Sequence, residues 1–254
     1  MLNTPIIIGH RGASALLPEN TLESFRLAFK KFNAGAVEFD VHFSGDQVPV
    51  VIHDATLERT TDGRGFVAQK NFKELQKLDA GFYFDPDHNH SFPCRRKGLR
   101  IPSLEEVLSL FKAKTLAIEI KDKSAELVHA VMGLIRKHKA DQCVVGSKHH
   151  LVARTLRKHY PGQFRFLSQR EIVQNFMASR ISNHSNFKDP NAVASMPLEA
   201  CGMHFDDPAF LDWLYRKEIK VYFWTINDPQ DIQRLAAAGV DGIITDYPGL
   251  RPQA

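Results

Sequence analysis

Residues that could do chemistry stand at the ends of two apolar, strand-like runs early in the chain. The run "IIIGHR" ends in His10 and Arg11, and the run "AVEFDV" carries Glu38 and Asp40. A buried strand needs the apolar residues, but an imidazole, a guanidinium and carboxylates at its end are costly to bury without a purpose. The ends of these strands are therefore where we expect an active site.

The carboxylates have the spacing of a cation site. Side chains two residues apart on a strand share a face, so Glu38 and Asp40 point the same way, as do Glu119 and Lys121 in "LAIEIK". Three converging carboxylates repel one another unless a cation holds them, and oxygen ligands suit a hard ion. The alternative is that each carboxylate pairs with a Lys or Arg. We predict one divalent cation. These ligands do not distinguish Mg²⁺ from Ca²⁺.

A second histidine reaches the same place through a predicted β-hairpin. In "VEFDVHFSGDQVPVVIHD" two strand-like runs are joined by a short polar turn at residues 44–47. If Phe43 faces Val48, counting outward sets His53 opposite Glu38. Two imidazoles that titrate near neutrality can serve as one acid and one base. We predict that His10 and His53 are catalytic, with the two roles left open.

The order of apolar runs predicts the fold. Eight strand-like runs alternate with segments of helical periodicity, which is the pattern of an α/β fold with a parallel sheet. The predicted core strands lie at 6–10, 36–41, 116–120, 142–147, 164–169, 201–205, 221–226 and 242–246. They favour a TIM (β/α)8 barrel, whose active site lies at the C-terminal ends of the strands, over a doubly wound open sheet. We predict one domain, 1–254, with an insertion at 55–100 over that face.

Composition narrows the classes of partner and location. A net charge of +4 spread along 254 residues favours an anionic small molecule and does not demand nucleic acid. The one dense basic run, at 94–100, is too short for a nucleic-acid site and is typical of a solvated loop. Three widely spaced cysteines predict no disulfide framework. With neither a spanning segment nor a secretory signal in view, we expect a cytoplasmic protein that could still work at a membrane surface.

Five segments, spread over nearly the whole chain, resemble the motifs of the glycerophosphodiester phosphodiesterase family in the same order. They are "HRGASALLPENTLESF", "VEFDVHFSGDQVPVVIHDATLERTTDGRG", "IEIK", "FWTIN" and "DGIITDYP". The resemblance implies a TIM barrel and the metal-dependent hydrolysis of glycerophosphodiesters to glycerol 3-phosphate and an alcohol. It implies that the carboxylates Glu38, Asp40 and Glu119 hold the metal and that His10 and His53 are the catalytic histidines. It also implies that Arg11 and Lys121 hold the phosphate and that Trp224 packs against the glycerol.

Two positions depart from the usual pattern of the family. Lys148, in "VVGSKHH", stands where an aromatic residue is frequent, and His42 is an unusual occupant of the hairpin. Both leave the phosphodiester chemistry intact and the preferred alcohol headgroup open. The choice between water and the substrate's own neighbouring hydroxyl as the nucleophile also stays open.

Two other functions compete with this hypothesis. The nearest is a lysophospholipase D activity on the same scaffold, with the basic and aromatic insertion holding an acyl chain. The aromatic residues 82–84 would then line the substrate entrance; otherwise they should pack within the insertion. A non-catalytic phosphate-binding protein is disfavoured, because binding alone has no need for two histidines.

Overall fold

Eight parallel strands close into a ring in the computed structural model, which describes residues 4–181 and 188–252. The strands of the chain are β1 (Ile6–His10), β2 (Ala36–Phe43), β3 (Pro49–Val51), β4 (Thr115–Ile120), β5 (Cys143–Gly146), β6 (Arg165–Phe166), β7 (Ala192–Met196), β8 (Glu199–Ala200), β9 (Met203–His204), β10 (Lys220–Phe223) and β11 (Gly242–Thr245). Since β1 pairs in parallel with both β2 and β11, the first and last strands complete the ring. The predicted TIM barrel is confirmed.

Helices surround the ring and pack on its outer face. They are α1 (Leu22–Lys30), α3 (Leu104–Phe111), α4 (Ala125–His138), α5 (His150–His159), α6 (Gln169–Arg180), α7 (Pro208–Arg216) and α8 (Pro229–Ala237). The short helix α2 (Phe72–Leu75) and a 3-10 helix at Val67–Gln69 lie in the segment 55–100, beside the hairpin. Thr21 caps the start of α1 with its side-chain oxygen, which accepts a hydrogen bond from the Ser24 N–H at 3.2 Å. In the described part of the chain, none of these helices is long and apolar enough to cross a bilayer.

One of the eight predicted core strands is wrong. The segment 201–205 does not enter the ring; its Met203–His204 part pairs with β8 in a small antiparallel hairpin. The ring position is filled by β7, "AVASM", whose small residues make a weak strand signal. Cys201 and Gly202 adopt φ values of 52° and 72°, the left-handed pair of a tight hairpin turn. A straight strand could not pass through these two residues.

The predicted hairpin forms, but its register differs by one residue. Phe43 pairs with Pro49, where Val48 was predicted, because Ser44 N–H donates to the Val48 carbonyl at 3.0 Å. Residues 45–47 therefore form a three-residue loop, and Gln47 takes the left-handed conformation with φ 58°. Counting outward from this register sets His53 level with Phe39, not with Glu38.

The segment 55–100 packs its own apolar residues beside the hairpin. Leu57, Val67, Leu75, Ala80 and Leu99 form a cluster with apolar residues of the hairpin strand β3 and its flanks. Its aromatic residues also contact one another: the Phe82 and Tyr83 rings lie 4.8 Å apart, and the Arg95 guanidinium stacks 4.2 Å from the Phe82 ring centre. The assignment of this segment as a separate subdomain stays a prediction.

Candidate active site

The interior of the barrel explains why polar groups meet at its mouth. One residue from each ring strand fills the interior: Ile8, Ala36, Ala117, Val144, Phe166, Val193, Tyr222 and Ile244. Residues two further along each strand share the inward face and stand at its C-terminal end. Among these are His10, Glu38, Glu119, Trp224 and Asp246.

All eight predicted site residues line one cavity of about 490 Å³ at this mouth. They are His10, Arg11, Glu38, Asp40, His53, Glu119, Lys121 and Trp224. The one-residue change of hairpin register does not remove His53 from the cavity, because the chain has left the β3 ladder before that residue. The geometry therefore brings together the whole set that the sequence suggested, and the role of each residue is taken up below.

Three carboxylates form the negative centre of the cavity. Ligand oxygens of Glu38, Asp40 and Glu119 all lie within 4.8 Å of one another. Lys121 Nζ lies 3.2 Å from both Asp40 and Glu119, and Arg11 Nε lies 3.3 Å from Asp40. Both the cation site and the alternative ion pairs are thus partly represented. Among the described residues, the three carboxylates form ion pairs with these two cations, so the carboxylates outnumber their partners.

Burial and charge act differently on two of these carboxylates. Burial, followed by the charges of Asp40 and Glu119, holds the pKa of Glu38 well above its ordinary value. Burial also works to raise the pKa of Asp40, but Lys121 and Arg11 outweigh it, so that this pKa is lowered. Glu38 is consequently the group most in need of a further positive charge.

Asn20 holds Asp40 in place, a role that sequence reasoning missed. Its amide Nδ2 donates to Asp40 Oδ2 at 3.0 Å, and its Oδ1 accepts from the Asp40 N–H at 3.4 Å. The Asn20 backbone N–H also donates to the Arg11 carbonyl at 3.0 Å. Asn20 stands directly before the helix cap Thr21 in a quoted motif, so capping alone accounted for the segment and gave no reason to single out the amide.

The turn after β1 depends on a glycine. Arg11 and Gly12 both have positive φ, 52° and 98°, and a Cβ on Gly12 would lie 2.2 Å from Ser24 Oγ. This tight approach to α1 allows the Arg11 N–H to reach Glu38 Oε2 at 3.4 Å while the Arg11 side chain faces Asp40. Only a residue without a side chain fits the second position.

Asp246 orients His10 from the opposite end of the chain. Its Oδ1 lies 2.7 Å from His10 Nδ1 and accepts from Ser14 Oγ at 2.8 Å, while its Oδ2 accepts from Asn227 Nδ2 at 2.7 Å. Burial works to raise the pKa of Asp246, but these hydrogen bonds outweigh it and lower the pKa to about 2. An ionised carboxylate accepts the Nδ1 proton and leaves His10 Nε2 as the nitrogen available to substrate.

His53 is oriented by a network of ion pairs that extends to Arg11. His53 Nδ1 lies 2.5 Å from Asp54 Oδ1, and Arg59 Nε donates to Asp54 Oδ2 at 2.5 Å. Arg59 also binds Glu19 at 2.7 and 2.8 Å, and Glu19 accepts from Arg11 at 2.9 Å. Burial works to raise the pKa of Asp54, but the hydrogen bonds from Arg59 and His53 outweigh it and lower this pKa to about 2. For the His53 imidazole, burial lowers the pKa. His53 is therefore oriented and kept neutral near pH 7.

His42 fixes the hairpin that carries His53. Its Nε2 lies 3.0 Å from the His53 carbonyl, and its Nδ1 lies 2.6 Å from Asp122 Oδ1, just beyond β4. Asp122 also accepts from the Phe43 N–H at 2.9 Å. The unusual histidine of the hairpin thus links the His53 backbone to the neighbouring strand end.

The other side of the cavity is apolar. We call its five residues the apolar wall: Ile172, Val173, Ala200, Met203 and Phe205, which come from α6 and from the β8–β9 hairpin and its flank. Trp224 also borders the cavity and has 42% of its surface exposed. The described cavity lining includes no residue of the segment 55–100. The Phe82, Tyr83 and Phe92 rings of that segment contact one another, and a part for the insertion in holding an acyl chain stays a prediction.

Eight parallel strands, with a carboxylate cluster and paired histidines at their C-terminal ends, define a TIM-barrel hydrolase of phosphoric diesters. The chain belongs to the glycerophosphoryl diester phosphodiesterase family, whose sequence model matches residues 10–250. A glycerophosphodiester phosphodiesterase of Caldanaerobacter subterraneus is 31% identical over 96% of this chain and 94% of its own. Human lysophospholipase D GDPD1 is 26% identical over 95% of this chain and 83% of its own.

A solved structure extends this likeness to the fold. The structure of an Oleispira antarctica phosphodiesterase in complex with the product sn-glycerol-3-phosphate has a TM-score of 0.75 and 26% identity, over 97% of this chain and 94% of that chain. The predicted family is confirmed.

Proposed function

We propose that this chain hydrolyses glycerophosphodiesters to glycerol 3-phosphate and an alcohol, with His10 and His53 as acid–base catalysts beside a divalent cation. The observation that carries this proposal is the single cavity that holds both histidines, the three carboxylates, Arg11 and Lys121. The family and the product-bound relative support the same reaction.

The residues present fit a hard divalent cation. Glu38, Asp40 and Glu119 offer oxygens within 4.8 Å of one another, which is the donor type that Mg²⁺ and Ca²⁺ prefer. The raised pKa of Glu38 means that Arg11 and Lys121 do not offset burial and the two neighbouring carboxylates at this group. When bound, the cation would supply Lewis-acid stabilisation of the negative charge that builds up on the phosphoryl oxygens.

Arg11 and Lys121 hold the diester against this centre. Both side chains are mostly buried, with 17% and 14% exposed, and both are fixed by carboxylates, so their positive charges stay in place as substrate enters. Fixed donors in a cavity of low polarity stabilise a phosphoryl transition state more than mobile surface groups do. Trp224 offers a flat apolar surface for the glycerol carbons.

The two histidines divide the proton transfers. Burial keeps His53 neutral, the state of a base, so His53 takes the proton from the attacking hydroxyl as its oxygen bonds to phosphorus. His10 acts as the acid: with both ring nitrogens protonated and Nδ1 held by Asp246, it gives its Nε2 proton to the leaving oxygen as the bond from phosphorus to that oxygen breaks. Each imidazole is aligned by its own carboxylate.

A lysophospholipase D activity is the second candidate, and the apolar wall favours it. Val173, Met203 and Phe205 would accept the start of an acyl chain attached to the glycerol beside Trp224. The likeness to human lysophospholipase D GDPD1 supports this possibility. The two activities share one chemistry and differ only in whether the apolar wall is used.

The test is release of glycerol 3-phosphate, or its acylated form, from a panel of diesters with and without chelator. We expect turnover of glycerophosphocholine with added Mg²⁺ or Ca²⁺ and its loss on chelation. Turnover of lysophosphatidylcholine in the same preparation would establish the second activity. Full activity after exhaustive chelation would contradict the cation, and binding without turnover of any diester would contradict hydrolysis.

A further inference from the structure

A second cleft, with a volume of about 710 Å³, opens beside the catalytic cavity. It lies between the strand ends of β4 and β5 and the first turns of α5 and α6. We call it the basic cleft. Its lining is Lys123, Lys148, His149, His150, Leu151, Gln169, Arg170, Val173 and Gln174, which includes no acidic residue in the described part of the chain.

The basic cleft and the catalytic cavity are continuous. Lys148, Gln169 and Val173 line both of them. A molecule whose phosphodiester lies against Lys121 could therefore extend past Lys148 into the basic cleft without crossing a wall. The cleft lies where one end of a bound diester would project.

The positive charges in the basic cleft are not neutralised by the protein. Within residues 4–181 and 188–252, Lys123, Lys148 and Arg170 are exposed and form no ion pair with a carboxylate. The nearest acids along the chain are engaged elsewhere: Asp122 with His42, and Glu171 with Arg165 and Arg157. Burial, then the charges of Lys123 and Lys148, lowers the pKa of His149.

The backbone adds to this positive field. The α5 helix, ten residues long, begins at His150, and its cap residue His149 makes no side-chain capping bond. Free N–H groups in the first turn of a helix favour an anion. Charged side chains and the end of a helix thus act together around one open volume.

We infer that the basic cleft is a subsite for a phosphomonoester carried by the leaving alcohol, so that the preferred diesters have a second anionic group beyond the scissile phosphate. The inference rests on the proposed hydrolysis and adds the substrate class. Lys148, between the two cavities, meets the second phosphate first, and Lys123 and Arg170 complete the subsite. The cleaved bond and the proton transfers are those of the proposed reaction.

The experiment compares two diesters that differ only at the far end. Both are esters of glycerol 3-phosphate with ethylene glycol, and in one of them the free hydroxyl carries a phosphate. We expect kcat/KM for the phosphorylated diester to be higher by about 10-fold at low salt, which corresponds to about 1.4 kcal/mol. The preference should shrink as salt is added, because salt screens exposed charges. Both reactions release the same glycerol 3-phosphate.

Variants assign the preference to residues. Lys148→Gln and Arg170→Gln should each bring the ratio of kcat/KM values close to one. Arg170 lines the basic cleft but not the catalytic cavity, so Arg170→Gln should do this with little change in turnover of the unphosphorylated diester. Lys158→Gln, at the far end of α5 and outside the cleft lining, makes the same change of charge and should keep the ratio.

Three results would overturn the inference. Equal kcat/KM for the two diesters in the wild-type protein would show that the cleft does not bind the second phosphate. A preference that survives Lys148→Gln and Arg170→Gln would place the subsite elsewhere. Equal turnover combined with Lys148-dependent binding to phosphatidylserine vesicles would assign the cleft to a membrane surface. Absence of turnover for both diesters, and for glycerophosphocholine, would instead refute the proposed hydrolysis itself.

Discussion

The two sides of the catalytic cavity are built on different principles. On the side of β1, β2 and β4, the proposed catalytic and cation-binding groups touch fixed polar partners: Asp246 for His10, Asp54 for His53 and Asn20 for Asp40. On the side of α6 and the β8–β9 hairpin, the apolar wall offers shape alone. Reaction chemistry needs groups held within a fraction of an ångström, whereas accommodation of a substrate tail does not. Substitutions on the polar side should therefore change kcat, and those on the apolar side should change substrate ranking.

The largest effect is expected from the carboxylates of the polar side. Glu38→Gln, Asp40→Asn and Glu119→Gln should each abolish glycerol 3-phosphate release, because each removes one of the three negative charges that would hold the cation. Glu199→Gln, an exposed carboxylate of the β8–β9 hairpin, is the matched control and should retain activity.

A measurement without turnover separates cation binding from catalysis. In chelator, Glu38→Gln should melt no lower than the wild-type protein, since one of three mutually repelling carboxylates is gone. Added cation should raise the melting temperature of the wild-type protein more than that of the variant. Equal gains in the two proteins would show that Glu38 is not a ligand.

The histidines should come next in size. His10→Ala and His53→Ala should each lower kcat by about 10²-fold or more, the usual cost of losing a general acid or base. With a p-nitrophenyl leaving group, which departs without a proton, His10→Ala should regain much of its loss and His53→Ala should not. Recovery by His53→Ala alone would reverse the assigned roles. His204→Ala, on the exposed hairpin of the other side, should leave kcat unchanged.

Asp246→Asn tests orientation by kinetics and by acid stability. It should lower kcat with little change in KM, because the amide no longer holds His10 in the productive tautomer. The pKa of Asp246 is about 2 in the folded protein and about 4 in the unfolded chain, so its carboxylate stabilises the fold above pH 4 by about 2 kcal/mol. That contribution is lost as pH falls towards 2. The difference in unfolding free energy between wild type and variant should disappear over the same range; a constant difference would exclude this linkage.

The smallest effect is expected on the apolar side. Met203→Ala should raise KM for lysophosphatidylcholine by about 5-fold, equivalent to about 1 kcal/mol of lost apolar contact, and leave glycerophosphocholine turnover unaffected. Tyr83→Ala removes a similar exposed apolar group from the segment 55–100 and should change neither. If Tyr83→Ala altered the ranking instead, the insertion would have a part in substrate selection.

The fold was predictable where local pattern and tertiary structure agree. Seven of the predicted core strands overlap ring strands, because a strand buried on both faces needs a continuous apolar run. The prediction failed at β7, whose Ala and Ser residues read as weak strand formers, and at 201–205, where a two-residue turn interrupts an apolar run. Packing against the ring, which no local pattern records, decides in favour of "AVASM".

The candidate site was predictable for residues on strands or shortly after strand ends. Glu38, Asp40 and Glu119 follow from alternation along a strand, His10 from its place at the end of β1, and His53 from the predicted hairpin. Asn20, Asp54, Arg59 and Asp246 were missed as positioning residues, because their partners lie far along the chain or in irregular loops. The hairpin register was missed for a similar reason: a left-handed Gln47 adds one residue to the loop and leaves no clear mark in the sequence.

The bond between His10 and Asp246 spans 236 residues and joins the first strand of the ring to the end of the last one. During synthesis, His10 leaves the ribosome long before Asp246, and it has no contact with that carboxylate until the final strand is in place. A chain that stops before Asp246 could fold most of its helices and strands and remain inactive. The appearance of activity therefore marks the closure of the ring. The rate at which phosphodiester turnover appears during refolding would measure the rate of this long-range step.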